Sequence, residues 1–173
     1  DVLSVSRISS DTNFEKHSLT RILEEVLQSI DLESCHANIE YENLPELTIN
    51  ESQFRLLFQN LITNSIKFRK QGLTPYIRIR QQRAADEQIS RMGLDDSVKY
   101  TCICFKDNGI GFDPLYNDKI FGMFQRLHAQ SLYEGTGIGL TICKRIVENH
   151  DGAIYAEGKP GEGSSFYILI PER

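Results

Sequence analysis

Apolar residues recur along this chain at a few regular periods. Leu19, Ile22, Leu23, Val26, Leu27 and Ile30 repeat at three and four positions, which lines one side of a helix with hydrocarbon. Ile39 and Tyr41 alternate with Asn38, Glu40 and Glu42, the period of a short strand. Asn50 is placed as a helix N-cap with Gln53 as its capping-box partner, and the helix it opens, 52–68, carries Phe54, Leu57, Phe58, Leu61, Ile62 and Ile66 on one face. Strands are predicted around 76–82 and 98–106, joined by a long polar connection (83–97) expected to be mobile. A last helix runs from Gly139 to about Asn149 and stops at Asp151 and Gly152, ahead of strands near 153–157 and 165–170. Residues 1–13 read as the tail of a helix and a linker, so the folded unit is expected over 14–173. The order α, β, α, β, β, loop, α, β, β suits an α/β (α+β) two-layer sandwich, with a mixed, largely antiparallel sheet and helices on one face.

Composition narrows the classes. With 19 Lys+Arg against 24 Asp+Glu the formal net charge is -5, and no long basic run offers a nucleic-acid surface. No apolar stretch approaches the ~20 residues of a membrane span, and the opening residues do not read as a secretory leader. Cys35, Cys102, Cys104 and Cys143 form no CxxC pair, which argues against zinc and for a reduced, cytoplasmic setting.

Four groups could carry chemistry. Asn60, Asn64 and Lys67 stand at i, i+4 and i+7, on one side of their helix. An amide oxygen is a hard ligand suited to Mg²⁺ and an ammonium suits phosphate; a solvated polar face would look the same. Asp107-Asn108-Gly109-Ile110-Gly111 follows a strand, where its carboxylate could accept from an exocyclic amine, or the segment could be a plain tight turn. Gly135-Thr136-Gly137-Ile138-Gly139-Leu140 opens a helix, so its bare amides can hold an anion. It lacks the spacing and the preceding strand of a dinucleotide fingerprint, and no GxxxxGK[ST] occurs. Gly161-Glu162-Gly163-Ser164-Ser165-Phe166 reads alone as a hairpin turn.

Taken in order, and with Ile120-Phe121-Gly122-Met123-Phe124-Gln125-Arg126-Leu127-His128 standing between the second and the third, these groups resemble the N box (60–68), the first glycine box (107–111), the F box (121–124) and the second and third glycine boxes (135–140 and 161–166) of sensor histidine kinase catalytic and ATP-binding domains. The resemblance covers about residues 14–173 and is nearest phytochrome-type and hybrid kinases. The family shares its ATPase fold, the Bergerat fold, with gyrase, the ninety-kilodalton chaperone and the mismatch-repair ATPases. Residues 1–13 resemble the end of the second helix of a dimerisation and phosphoacceptor domain.

The resemblance implies ATP and Mg²⁺ as cofactors. It makes Asn64 the Mg²⁺ ligand, Asn60 a support for the metal or its waters, and Lys67 a phosphate contact. Asp107 would accept the adenine amino group, Ser165 would stand beside it in place of the usual Thr, and Gly109 and Gly111 would keep the base pocket open. Residues 112–136 would form a lid that is mobile without nucleotide. Thr136 and the amides of Gly137, Ile138, Gly139 and Leu140 would hold phosphates, and Arg126 would reach the γ-phosphate. Phe121 and Phe124 would anchor the lid by packing.

The hydrolytic relatives place Glu at the position of Asn60, and an amide cannot act as their general base, which favours phosphotransfer. His17, His36, His128 and His150 lack the phosphoacceptor context and read as structural or surface residues, so the acceptor is expected upstream of Asp1. The implied partners are that phosphoacceptor and dimerisation domain and a response regulator receiver domain. No nucleic acid and no membrane contact are expected; the domain would be monomeric within a homodimeric full protein. A nucleotide-responsive docking module without competent transfer is the alternative.

Overall fold

The computed structural model describes residues 13–122 and 137–173. Strand β1 (Glu15–Ser18) leads into α1 (Leu19–Ser29), a single turn α2 (Leu32–Cys35), β2 (Asn38–Tyr41), β3 (Glu46–Ile49) and α3 (Glu51–Lys67). Then come β4 (Tyr76–Arg83), α4 (Asp86–Arg91), β5 (Tyr100–Asp107), two 3₁₀ turns at Pro114–Tyr116 and Lys119–Phe121, α5 (Gly139–Asn149), β6 (Ala153–Lys159) and β7 (Gly163–Pro171).

The sheet order is β2-β4-β5-β7-β6, with β2 and β4 parallel and the other neighbours antiparallel. β5 lies at its centre. Ile103 and Phe105 of β5, with Phe166, Ile168 and Ile170 of β7, join the apolar stripes of α1, α3 and α5 in the main core. This is the expected mixed sheet under a helical layer. β1 and β3 pair separately and antiparallel, Glu15 opposite Ile49. Neither strand stands out in the sequence, because each is four residues long and is held by a partner some thirty positions away.

Two expectations change. The segment 83–97 does connect the antiparallel pair β4 and β5, but it is not structureless: it contains α4, which lies on the sheet face opposite the other helices. There Ile89 is buried with Ala84, Tyr100, Cys102, Tyr155 and Leu169, Gln88 Nε2 donates to the Tyr155 hydroxyl at 2.6 Å, and the Arg91 guanidinium lies 4.8 Å from the Tyr155 ring centroid. The helices are therefore not confined to one face. A lone buried Ile in a polar stretch gives no periodicity to read.

Asn50 caps α3 as expected, its Oδ1 accepting from Gln53 N at 3.1 Å. The reciprocal half of the box is replaced. Asn50 N donates to His150 Nε2 at 3.0 Å, and Gln53 Oε1 accepts from Asn149 Nδ2 at 2.9 Å, which fastens the end of α5 to the start of α3. His150 Nδ1 lies 2.7 Å from Ile146 O, so Nδ1 carries the proton and the ring is neutral.

Burial holds the His150 pKa below its ordinary value. A lowered base pKa means that the unfolded chain takes up a proton first as pH falls below about 6.5, and stability drops from there through the folded value. Urea unfolding should show this loss in acid. His150→Leu should remove that part of the pH dependence and cost roughly 1–3 kcal/mol near neutrality by orphaning Asn50 N.

Candidate functional site

At its end β5 delivers Asp107, which is 8% exposed. Asp107 Oδ1 accepts from Gly109 N at 2.9 Å and from Ser164 N at 3.1 Å, and Oδ2 accepts from the Ser65 hydroxyl at 3.1 Å. An ionised carboxylate has about four acceptor positions, so roughly one, on Oδ2, is left for a ligand. Burial pushes the Asp107 pKa up, against the opposing pull of these three donors. The turn after Asp107 is fastened on both sides. Ile110 N donates to Phe68 O at the end of α3, at 2.9 Å, and Gly161 N donates to Ile110 O from the β6–β7 turn at 2.8 Å. Asn108 faces away from the ligand side, its Oδ1 accepting from Tyr76 N at 2.8 Å and its Nδ2 donating to Thr74 O at 3.1 Å.

The second half of the site joins α3 to the start of α5. Asn60 and Asn64 are half-buried one turn apart. A Cβ at position 139 would lie 3.1 Å from Asn60 Oδ1 and 3.8 Å from Asn64 Nδ2, so this turn sits close to both amides, and any side chain there would press on the Asn60 amide. Asn60 Nδ2 donates to Leu56 O at 3.0 Å, which fixes the amide and leaves Oδ1 as the acceptor on the side of Gly139. Gly137 takes φ +70° before the helix begins, and among the described residues no side chain caps the opening amides of α5. Free amides on the positive end of a helix favour a bound anion.

The sequence of residues 49–173 matches the family described as histidine kinase-, DNA gyrase B-, and HSP90-like ATPase. The chain belongs to that ATPase family. Cyanobacterial phytochrome A of Nostoc sp. is 38% identical over 174 residues, 99% of this chain and 21% of the relative. The methanogenesis regulatory histidine kinase FilI of Methanothrix harundinacea is 30% identical over 175 residues, 99% of this chain and 18% of the relative. The chain thus spans about a fifth of the length of these relatives. Among solved structures, the mycobacterial sensor histidine kinase MprB superposes with TM-score 0.73 at 20% identity, covering 92% of this chain and 98% of that one. Full-length ShkA in complex with AMPPNP gives 0.75 at 20% identity, covering 98% of this chain and 34% of that one. These two structures share the fold.

In this ATPase domain the two amides and the second glycine turn come together as the sequence predicts. Lys67 lies one turn beyond Asn64, its Nζ 4.8 Å from the Phe68 ring centroid. Ser165 does not join the site. It pairs with Lys106 and Glu157, and so points to the sheet face opposite Asp107; Ser164 is the neighbour of Asp107. A side-chain period of two makes that one-residue difference decisive.

The two glycines of the first box also work differently from the expectation. A Cβ on Gly109 would meet Phe68 O at 2.6 Å, and one on Gly111 would meet Lys159 O at 2.1 Å and Gly163 O at 2.7 Å. Their bareness admits neighbouring backbone rather than an open base pocket.

The first part of the expected lid, from Phe112 to Gly122, is folded onto the core. Phe121 is buried against Phe166 with ring centroids 6.5 Å apart, and its carbonyl accepts from Thr141 Oγ1 at 3.0 Å. That meets the packing role expected for Phe121 and departs from a lid that is mobile from residue 112. Phe124, Arg126, His128, Thr136 and the rest of the lid lie outside the described residues, as does most of the segment 1–13. Of the described histidines, His150 is structural, His17 lies 3.8 Å from Glu51, and His36 closes α2 at φ 53°.

Ser65 was missed by sequence reasoning, although a signal was available. It falls four residues after Leu61 and seven after Phe58, on the buried stripe of α3, where a hydroxyl requires a partner. Among the described residues no cluster of three or more His, Cys, Asp or Glu is built for a metal, and no helix is long and apolar enough to cross a membrane.

Proposed function

We propose that this domain binds ATP with Mg²⁺ and transfers the γ-phosphoryl group to a histidine on a dimerisation and phosphoacceptor domain, as the catalytic part of a sensor histidine kinase. One observation carries the reading: Asn60 and Asn64 of α3 meet the glycine-opened start of α5, which no side chain caps among the described residues, and α3 itself ends beside the buried Asp107. Phosphates and a purine amine are the ligand groups that match those two ends. The relatives named as histidine kinases and the AMPPNP bound by ShkA support it.

Mg²⁺ fits the donors, since Asn60 presents a fixed oxygen and Asn64 a second amide beside it. Asn64 is assigned as the ligand and Asn60 as support for the metal or its waters. Bound there, the ion would neutralise charge on the phosphates. The chain's own residues do the remainder. The Gly137–Leu140 amides hold phosphate at the start of α5, Asp107 orients the base by accepting its amine, and Lys67 adds positive charge one turn past Asn64. Arg126 is assigned to the γ-phosphate and Thr136 to the phosphate turn by their places in the motifs. Asn60 cannot take a proton from water as a carboxylate would, so no group at that position prepares hydrolysis. An acceptor imidazole needs no such base while neutral. The phosphorylated histidine would then serve a response regulator receiver domain, within a cytoplasmic assembly that dimerises through the acceptor helices.

The test supplies labelled ATP and a histidine-bearing phosphoacceptor domain to this chain. Label that survives alkali and not acid should appear on the partner. Asn64→Ala should slow it about 100-fold with little change in melting temperature, because Asn64 is half-buried at a ligand face. Steady phosphate release by the isolated chain, with no label on any partner, would reject transfer in favour of hydrolysis.

A further inference from the structure

We infer that Ser65 is the positioning residue that makes the site choose a 6-amino purine over a 6-oxo purine, by donating its hydroxyl to Asp107 Oδ2 and holding that carboxylate as a pure acceptor. The inference rests on the reading of Asp107 as the base acceptor.

The geometry is restrictive. Ser65 is 5% exposed and reaches the carboxylate across the gap between α3 and β5 at 3.1 Å. Gly109 N and Ser164 N together occupy Oδ1, so Ser65 decides how Oδ2 is presented. An ionised carboxylate donates nothing. It can meet the amine of adenine, whereas the carbonyl oxygen of guanine would face an acceptor with no proton between them. A protonated carboxyl would reverse this by offering a donor to the 6-oxo group. Selection therefore depends on keeping the proton off Asp107.

Burial works the other way, and three neutral donors oppose it: Gly109 N, the Ser65 hydroxyl and Ser164 N. Ser65 supplies the side-chain donor among them. Among the described residues, the elements around the carboxylate bring no charge to it. α3 contributes the Ser65 hydroxyl, while Lys67 on the same helix lies over the Phe68 ring. β4 sets Ile77 opposite Asp107, β7 contributes the Ser164 amide, and Lys106 points with Ser165 to the other face. A hydroxyl at position 65 is thus the adjustable member of the set.

Calorimetric titration with MgATP and with MgGTP, across pH, tests this on the present chain and on Ser65→Ala, Ser65→Cys and Asp107→Asn. Ser65→Ala should weaken ATP binding roughly tenfold and reduce the ATP-over-GTP preference by a similar factor. The pH at which ATP affinity is half lost should move upward. Ser65→Cys, which fills the space and donates weakly, should follow Ser65→Ala and not the unaltered chain. A side chain that merely filled space would leave both the preference and the pH profile in place. If Asp107→Asn loses ATP while both Ser65 variants keep the original preference and profile, the role of Ser65 is overturned and the Asp107 reading stands. If Asp107→Asn keeps its ATP affinity, the Asp107 reading falls and the inference falls with it.

Discussion

Asp107→Asn is expected to weaken ATP binding about 10- to 100-fold while the nucleotide-free chain unfolds at the same temperature or higher. The two halves of this result come from the same geometry. Asn is isosteric, and its Oδ1 can keep the Gly109 and Ser164 amides, while its Nδ2 can donate to the Ser65 oxygen in place of accepting from it. The fold loses no partner. The ligand does, because the remaining position that accepted from the base is now a donor.

Burial raises the Asp107 pKa. A raised acid pKa means that the folded state binds more protons than the unfolded state between the two values. Ionisation at neutral pH therefore works against folding, by an amount absent below the unfolded pKa and fully present above the folded one. Removing the charge relieves that opposition. Thermal melts without nucleotide and calorimetry with ATP check the two halves separately. Loss of affinity together with loss of stability would show a structural carboxylate; no loss of affinity would show that the base binds elsewhere.

The long helices α1, α3 and α5 were legible because their apolar residues keep one period over several turns. The 11 residues of α5 begin at Gly139 and end at Asn149 as read, and the central strand β5 announced itself as a run of Tyr, Cys, Ile and Phe. Elements defined by distant partners were not legible. β1 and β3 exist because they pair with each other, and α4 forms where Ile89 finds Tyr155 and Tyr100 on the far face of the sheet.

The same division runs through the site. The order of the motifs marked Asn60, Asn64, Asp107 and Gly139, whereas choosing between Ser164 and Ser165 required the register of β7, which opposes Ser165 to Lys106. Ser65 carried a signal of another kind, a hydroxyl on a buried stripe, whose meaning depended on what stood across the gap.

Gly111→Ala tests what the glycine turns are for, and its expected effect on stability exceeds that of any other substitution considered. A Cβ there would sit 2.1 Å from Lys159 O and 2.7 Å from Gly163 O, both backbone atoms that no rotamer change can move. Gly111 also adopts φ +64°, which disfavours any side chain. The turn after β5 and the β6–β7 turn would have to separate, at a cost of about 3–5 kcal/mol.

That movement would reach Asp107, because Gly163 packs on its carbonyl and Ser164 N binds its Oδ1. ATP affinity should therefore fall along with the melting temperature. Gly161→Ala separates strain from collision. It too has positive φ, +76°, but nothing lies within 4 Å of its Cβ, so it should lose only about 1 kcal/mol and keep its affinity. A glycine that only kept a base pocket open would give a different result at position 111, with weaker binding and an unchanged melt. Urea unfolding and ATP titration of the two variants side by side distinguish a pocket wall from the packing of one backbone against another.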